Sequence, residues 1–422
     1  MSVTYHEATK HSFWSVRKNP NFLDWSKQPI PFKIYSDYPL VPLDLDAPLG
    51  KCIYYLGGIN AKKSYPGVEY YLRTVPSAGA LYPTEIYIQM RGMEDFADGI
   101  YHFDVANAGL RLLYRLQGDE GVEIALRDRR KVEGCIVLFS SIYYRSSWKY
   151  KNRAFRYCLL DAGHAQGALE MSTQIFEHAY TLHYDFDKAL LNEKFGFRDR
   201  EFFLSLAIVG RRKAERVQRL GIELPFVDGT GNFEPNETIE AAYHETMGLQ
   251  GCRPMLRHPK FTFVKERLEE AIMKRRSIRE FSAQPIKKEQ LAFILEAMRQ
   301  PIPSDCDDKV RIWYVINRVE GMQCGLYLDG ELIKAGDFRQ KAGYLCLEQA
   351  LGSESAVTFF LTSGARNYQP LYLKAGHIGH RCYIASEYLG IGCSGIGAYY
   401  DDEVREFLGT QDMVLYALAI GK

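Results

Sequence analysis

One chain of 422 residues carries the same landmarks twice, in the same order. Pro76-Ser77 returns as Pro303-Ser304, Ala162-Gly163-His164 as Ala375-Gly376-His377, and Leu206-Ala207-Ile208 as Leu418-Ala419-Ile420. A repeat whose period approaches a domain length implies two fused copies of one domain rather than a solenoid of short units. The length suits this, since each copy is large enough to bury its own core.

The copies are bounded by composition. Residues 1–45 are rich in aromatics and proline (Trp14, Trp25, Pro29, Pro31, Tyr35, Pro39) and read as an irregular arm. Residues 46–212 form the first copy, 213–261 a connector containing glycine, proline and asparagine, and 262–422 the second copy. In the first copy, alternation and apolar runs predict strands at Glu85–Met90, Cys135–Ser140 and Phe202–Val209, with a helix from Ala154 to Ala179. The second copy opens on a helix within residues 259–277. It repeats the long helix as Tyr372–Leu389 and has strands at Val310–Ile316, Ala356–Leu361 and Val414–Ile420. This order fits an α+β sandwich, a central mixed sheet covered by helices, in each copy.

Charge and cysteine content narrow the function class. Lys plus Arg (53) nearly cancels Asp plus Glu (52), so no field favours nucleic acid or an anionic membrane as partner. The nine cysteines include no CxxC pair, so neither a disulfide framework nor a zinc knuckle is expected, and reduced thiols are. No HExxH or carboxylate–histidine cluster has metal-ligand spacing. The first residues lack an apolar signal core, and no run of about 18 apolar residues occurs. A soluble, cytoplasmic protein is the expectation.

Four segments could carry chemistry. Arg275-Arg276-Ser277-Ile278-Arg279 places three guanidinium groups and a hydroxyl where they could surround a dianionic phosphate. The same cluster suits a solvated basic helix end. Pro76-Ser77-Ala78-Gly79-Ala80 could bring backbone close to a flat ligand, or simply form a rigid turn. Gly390–Gly395 matches GxGxxG, but a helix precedes it and a loop is expected after it, the reverse of a dinucleotide fingerprint. A glycine-dense loop there could instead lay an amide against a flavin ring, beside a helix cap at Gly390. Lys149-Tyr150 are adjacent groups able to exchange protons, although the surrounding stretch also reads as a solvated basic face. His164 and His377 fall at the start of the repeated helix and read as packing residues.

Together these motifs resemble the nitroreductase superfamily, and within it the SagB-type dehydrogenase branch, whose members oxidise azoline rings to azoles in peptide natural products. The resemblance covers most of residues 46–212 and 262–422. It implies FMN as cofactor and two nitroreductase-like sandwiches forming an intramolecular pseudodimer. Arg275, Arg276, Ser277 and Arg279 resemble the family's phosphate-binding opening, and Lys422 sits where a terminal basic residue helps it. Pro76, Ser77, Ala78, Gly79 and Ala80 resemble the segment that reaches the flavin from the partner subunit. Gly395, Ile396 and Gly397 resemble the loop whose amide faces flavin N5. Lys149 and Tyr150 match the pair implicated in deprotonating the azoline.

Copy one lacks the arginine motif, and copy two continues Pro303-Ser304 as Asp305-Cys306-Asp307-Asp308. One FMN per chain is therefore the expectation, made from complementary halves, with a small-molecule or peptide-derived substrate and a possible homodimer of pseudodimers. A nitro or quinone reductase fed by NAD(P)H is the alternative, and a non-catalytic peptide-binding module the second.

Overall fold

The computed structural model describes residues 2–18, 22–65 and 68–422. The chain divides into two compact units. One comprises Leu23–Pro259 and Pro301–Asp307; the other comprises Met1–Phe22, Lys260–Gln300 and Asp308–Lys422. The stretch read as one arm is thus shared between them. It is also less irregular than expected: Ser2–Ala8 and Phe13–Lys18 are helical, and Leu40–Pro42 is a strand.

The first unit is built on β1 (Leu40–Pro42), β2 (Ile59–Tyr65), β3 (Val68–Arg73), β4 (Thr84–Arg91), β5 (Gly99–Asp104), β6 (Gly109–Arg115), β7 (Arg130–Ser141), β8 (Thr181–His183) and β9 (Phe202–Arg216). The second is built on β10 (Arg311–Ile316), β11 (Gly325–Leu328), β12 (Glu331–Ala335), β13 (Val357–Ser363), β14 (Gly392–Ile396) and β15 (Met413–Gly421). The sheet orders are β1-β6-β5-β4-β7-β9-β8 and β12-β11-β10-β13-β15-β14, while β2 and β3 make a separate hairpin. From β6 to β8 and from β12 to β14 the two orders are the same.

The expected α+β sandwich is observed, but the sheets are not mixed: every strand pair within them is antiparallel. The reason lies in the long helix. Helix Ala154–Ile175 carries the chain from β7 to β8, which run the same way, and β9 then slots between them with the opposite sense. Helix Tyr368–Tyr388 does the same for β13 and β14, with β15 between. Both helices are buried around nearly their whole circumference, which explains their lack of an amphipathic stripe. His164 and His377 lie midway along these helices, not at their starts, and both are buried.

Each unit has its own core. Tyr87, Ile136, Leu138, Phe195, Phe203 and Leu206 centre the first; Trp313, Val315, Phe360, Val414, Ala417 and Ala419 centre the second. The first also buries an ion pair from the arm, in which Lys33 Nζ donates to Glu201 Oε2 at 2.7 Å and to Tyr87 Oη at 3.0 Å.

The thiol expectation is corrected at one place: Cys252 and Cys306 form a disulfide, with Cα atoms 4.8 Å apart. Reciprocal backbone bonds between Met255 and Ser304 bring the two segments alongside, a proximity that sequence separation could not signal. The other seven cysteines are free. Among the described residues, no helix is long and apolar enough to cross a membrane.

Candidate active site

In the second unit, helix Lys265–Lys274 ends at Arg275, whose backbone turns extended (ψ 126°) and starts the arginine segment. Arg275 is buried with its guanidinium 5.4 Å from the centre of the Tyr383 ring, while Arg276 is half-buried and Arg279 exposed. Ser277 pairs in parallel with Cys393, and the Ile278 amide donates to the Cys393 carbonyl at 3.2 Å. The segment therefore runs beside the Gly392–Ile396 stretch. That stretch, expected as a loop, is strand β14: Gly390 (φ 69°) ends the helix, and pairing with β15 begins two residues later.

Tyr383 holds these parts together. Its hydroxyl is hydrogen-bonded to Ser277 Oγ at 2.8 Å and accepts the Gly395 amide at 2.6 Å. Burial pushes its phenol up to about 12, so it remains protonated. The Lys422 carbonyl accepts from the Ser282 amide, bringing the last residue beside the same segment. Ser277 and Gly395 thus meet at the Tyr383 hydroxyl with Arg275 against its ring, and Lys422 is tied to Ser282, all within one unit. Glu387 also faces the arginines; burial raises its carboxyl pKa, and Arg275 and Arg276 pull it back.

In the first unit, Pro76 to Ala80 forms a braced turn. The Ser77 hydroxyl donates to Asp161 Oδ2 at 2.5 Å and accepts from the Tyr82 amide at 2.9 Å; the Ala78 amide donates to Asp161 Oδ1 at 3.2 Å. Arg145 Nη1 donates to the Tyr82 carbonyl at 2.9 Å and to Glu85 at 2.5 Å. Burial opposes ionisation of Glu85, but Arg145, His102 and Arg73 outweigh it and hold its pKa at about 2. Gly79, Ala80 and Tyr82 all take positive φ (66°, 54° and 47°), strain that for the two non-glycine residues requires such bracing. Lys149 and Tyr150, half-buried at the end of helix Tyr144–Tyr150, stand against this turn. A β-carbon on Gly79 would fall 2.7 Å from Tyr150 Oη and 3.3 Å from Lys149 Nζ.

Two supporting residues escaped the sequence reading. Asp161 directly precedes the repeated Ala-Gly-His landmark, where the second copy has Lys374, and that contrast was the available signal. Tyr383 had none, since its role depends on which helix face meets Ser277. The Pro303-Ser304 echo lies in the first unit, where Ser304 exchanges backbone bonds with Met255 and the Leu182 amide donates to the Pro303 carbonyl. Asp305 accepts the Tyr184 and Asp185 amides at 2.9–3.0 Å. Burial works against its ionisation, but His183 and these amides prevail and lower its pKa.

Residues 272–422 match the nitroreductase family. The matched stretch contains Arg275, Ser277, Tyr383, Gly395 and Lys422. A candidate nitroreductase of Methanocaldococcus jannaschii is 23% identical over 186 residues, spanning 37% of this chain and 91% of the relative. The crystal structure of a candidate nitroreductase from Anabaena variabilis covers 100% of this chain and 99% of its own, at 24% identity and a TM-score of 0.81. The fold is therefore nitroreductase-like along the whole chain.

Proposed function

We propose that this chain is an FMN-dependent oxidoreductase, most specifically a dehydrogenase that oxidises a heterocycle such as an azoline in a peptide-derived substrate. The observation that carries the reading is the placement of Lys149 and Tyr150 against Gly79, in the turn assigned to the flavin. Plain nitro reduction requires no substrate base, whereas removal of hydride from carbon requires a partner to take the proton.

The donor set suits FMN. Arg275, Arg276 and Arg279, with Ser277 and Lys422, supply the positive charge and hydroxyl that a dianionic phosphate needs, and Arg279 is exposed. Pro76 to Ala80 offers a rigid turn with an exposed glycine for contact with a flat ring. Bound FMN would supply a two-electron hydride acceptor. Lys149 and Tyr150 take the substrate proton, and oxygen or another acceptor takes the electrons afterwards. The half-buried setting of both residues admits substrate and limits water around the transferring proton.

Likeness to a candidate nitroreductase supports a second reading, in which NAD(P)H supplies the electrons and a nitroaromatic or quinone receives them. The visible spectrum of purified protein, with released flavin counted per chain, tests the cofactor. One FMN per chain is expected, and two would remove the single-site reading. A protein that stays colourless after added FMN overturns the proposal and favours a binding module. Rapid bleaching by NADPH, with no turnover of an azoline peptide, selects the reductase.

A further inference from the structure

Asp161 is a carboxylate that the chemistry above does not use, yet it makes two bonds to the turn that chemistry depends on. It projects from the middle of helix Ala154–Ile175, buried, and receives both the Ser77 hydroxyl and the Ala78 amide. Ser77 in turn accepts the Tyr82 amide, so one side chain fixes the start of the turn directly and its end through a single intermediary. Between these anchors lie Gly79, beside Lys149 and Tyr150, and the strained Ala80.

The repeat supplies an internal comparison. The position equivalent to Asp161, before the second Ala-Gly-His, is Lys374, which has donors and no acceptor. Lys374 Nζ donates to the Asp308 carbonyl at 2.9 Å, and Ser304 Oγ donates to the Cys306 carbonyl at 2.8 Å. A lysine cannot take the two bonds that Asp161 takes. The copy with the aspartate keeps the Ser-Ala-Gly-Ala turn, and the copy with the lysine has lost it.

We infer that Asp161 is a positioning residue whose ionised carboxylate holds the Ser77–Ala80 turn in register with Lys149 and Tyr150. This rests on the reading of that turn as the flavin-contacting segment. Burial pushes the Asp161 carboxyl up to about 7, against the bonds from Ser77 and Ala78. Around it, Arg73 and Glu85 line the same small cavity, Cys158 lies one turn away on its own helix, and Lys149 and Tyr150 stand across the turn. Arg145 and His102 are bonded to Glu85, and the bonds from Ser77 and Ala78 are what favour the ionised Asp161 against its burial. Protonation converts one carboxylate oxygen into a donor, and the Ser77 proton loses its acceptor.

Amide hydrogen exchange across residues 76–82, in the full chain without added flavin, tests this. Corrected for intrinsic chemistry, protection in the wild type should rise about 10-fold between pH 6 and pH 8. In D161N it should not change with pH, and in D161A it should stay low throughout. S77A should also abolish the pH step, which keeps the test decisive should D161A fail to fold. Wild-type protection in D161A, or a retained step in D161N, overturns the inference. Titration with FMN separates the parent reading. D161A should weaken FMN binding at least several-fold, while failure of the wild type to bind FMN would sink the cofactor reading and leave the exchange result to judge Asp161.

Discussion

Gly79 faces Tyr150 so closely that a β-carbon at position 79 would reach within 2.7 Å of the phenol oxygen. Any other residue there would meet both this contact and a φ of 66°, which side chains resist. G79A should therefore lower stability by about 1–2 kcal/mol and move the turn off Lys149 and Tyr150. Thermal melts together with turnover measure both effects, and turnover should fall at least 10-fold, beyond what the lost stability explains.

K149M and Y150F should each reduce turnover by about 100-fold or more, because each removes part of the proton-accepting pair. The flavin content of both variants should match the wild type, since the bonds from Asp161 and Ser77 that brace the turn remain in both. Stopped-flow reduction of the bound flavin by substrate distinguishes this from a binding defect.

Tyr383 offers a different kind of test. Its hydroxyl satisfies Ser277 and the Gly395 amide at once, so Y383F leaves two polar groups without their partner. A loss of about 1–3 kcal/mol in unfolding free energy is expected, with weakened FMN affinity. S277A should cost less, because Tyr383 keeps the Gly395 amide. Chemical denaturation of the two variants side by side checks the order.

Stability should also report Asp161. Its folded pKa lies above its ordinary value of 3.8, at about 7, so the folded state binds this proton more tightly than the unfolded state. Below pH 4 both states are protonated and nothing is lost. As pH rises from 4 to 7 the unfolded state releases its proton first, and stability falls by a few kcal/mol at most. D161N, neutral throughout, should lack this component, so the difference between wild type and D161N should slope across that window and flatten above it.

Breaking the buried Lys33–Glu201 pair should be costly. K33A leaves the Glu201 carboxylate deep in the core with only hydroxyl partners, Tyr87 and Ser140, and a loss of about 3–5 kcal/mol is expected. Denaturant melts of K33A and the double variant K33A/E201Q should show the second change recovering part of the loss.

Much of this was legible in the chain. Runs such as Phe202–Val209 and Val414–Ile420 mark buried central strands because they are apolar without alternation, and both are observed. The repeated landmarks located the long helices. What escaped depends on partners distant in sequence. Gly392–Ile396 looks like a loop by composition and becomes a strand because β15 pairs with it. His164 looks terminal because the apolar pattern before it is broken by Arg156 and Asp161, both buried. The Asp161 brace and the Tyr383 bridge require knowing which helix face meets which turn, and spacing alone does not carry that.

The second unit is assembled from both ends of the chain: His11 bonds to Asp401 through its amide, and its carbonyl takes the Asp401 amide. Its strand β15 follows β13 and β14 in sequence and sits between them rather than at an edge. The first unit, Leu23–Pro259 with Pro301–Asp307, is thus inserted in sequence between segments of the second. Synthesis sets the order: the first unit, through Asp307, emerges before any strand of the second sheet, and β13 and β14 emerge before the β15 that pairs with both, a window in which a chaperone would find them uncovered.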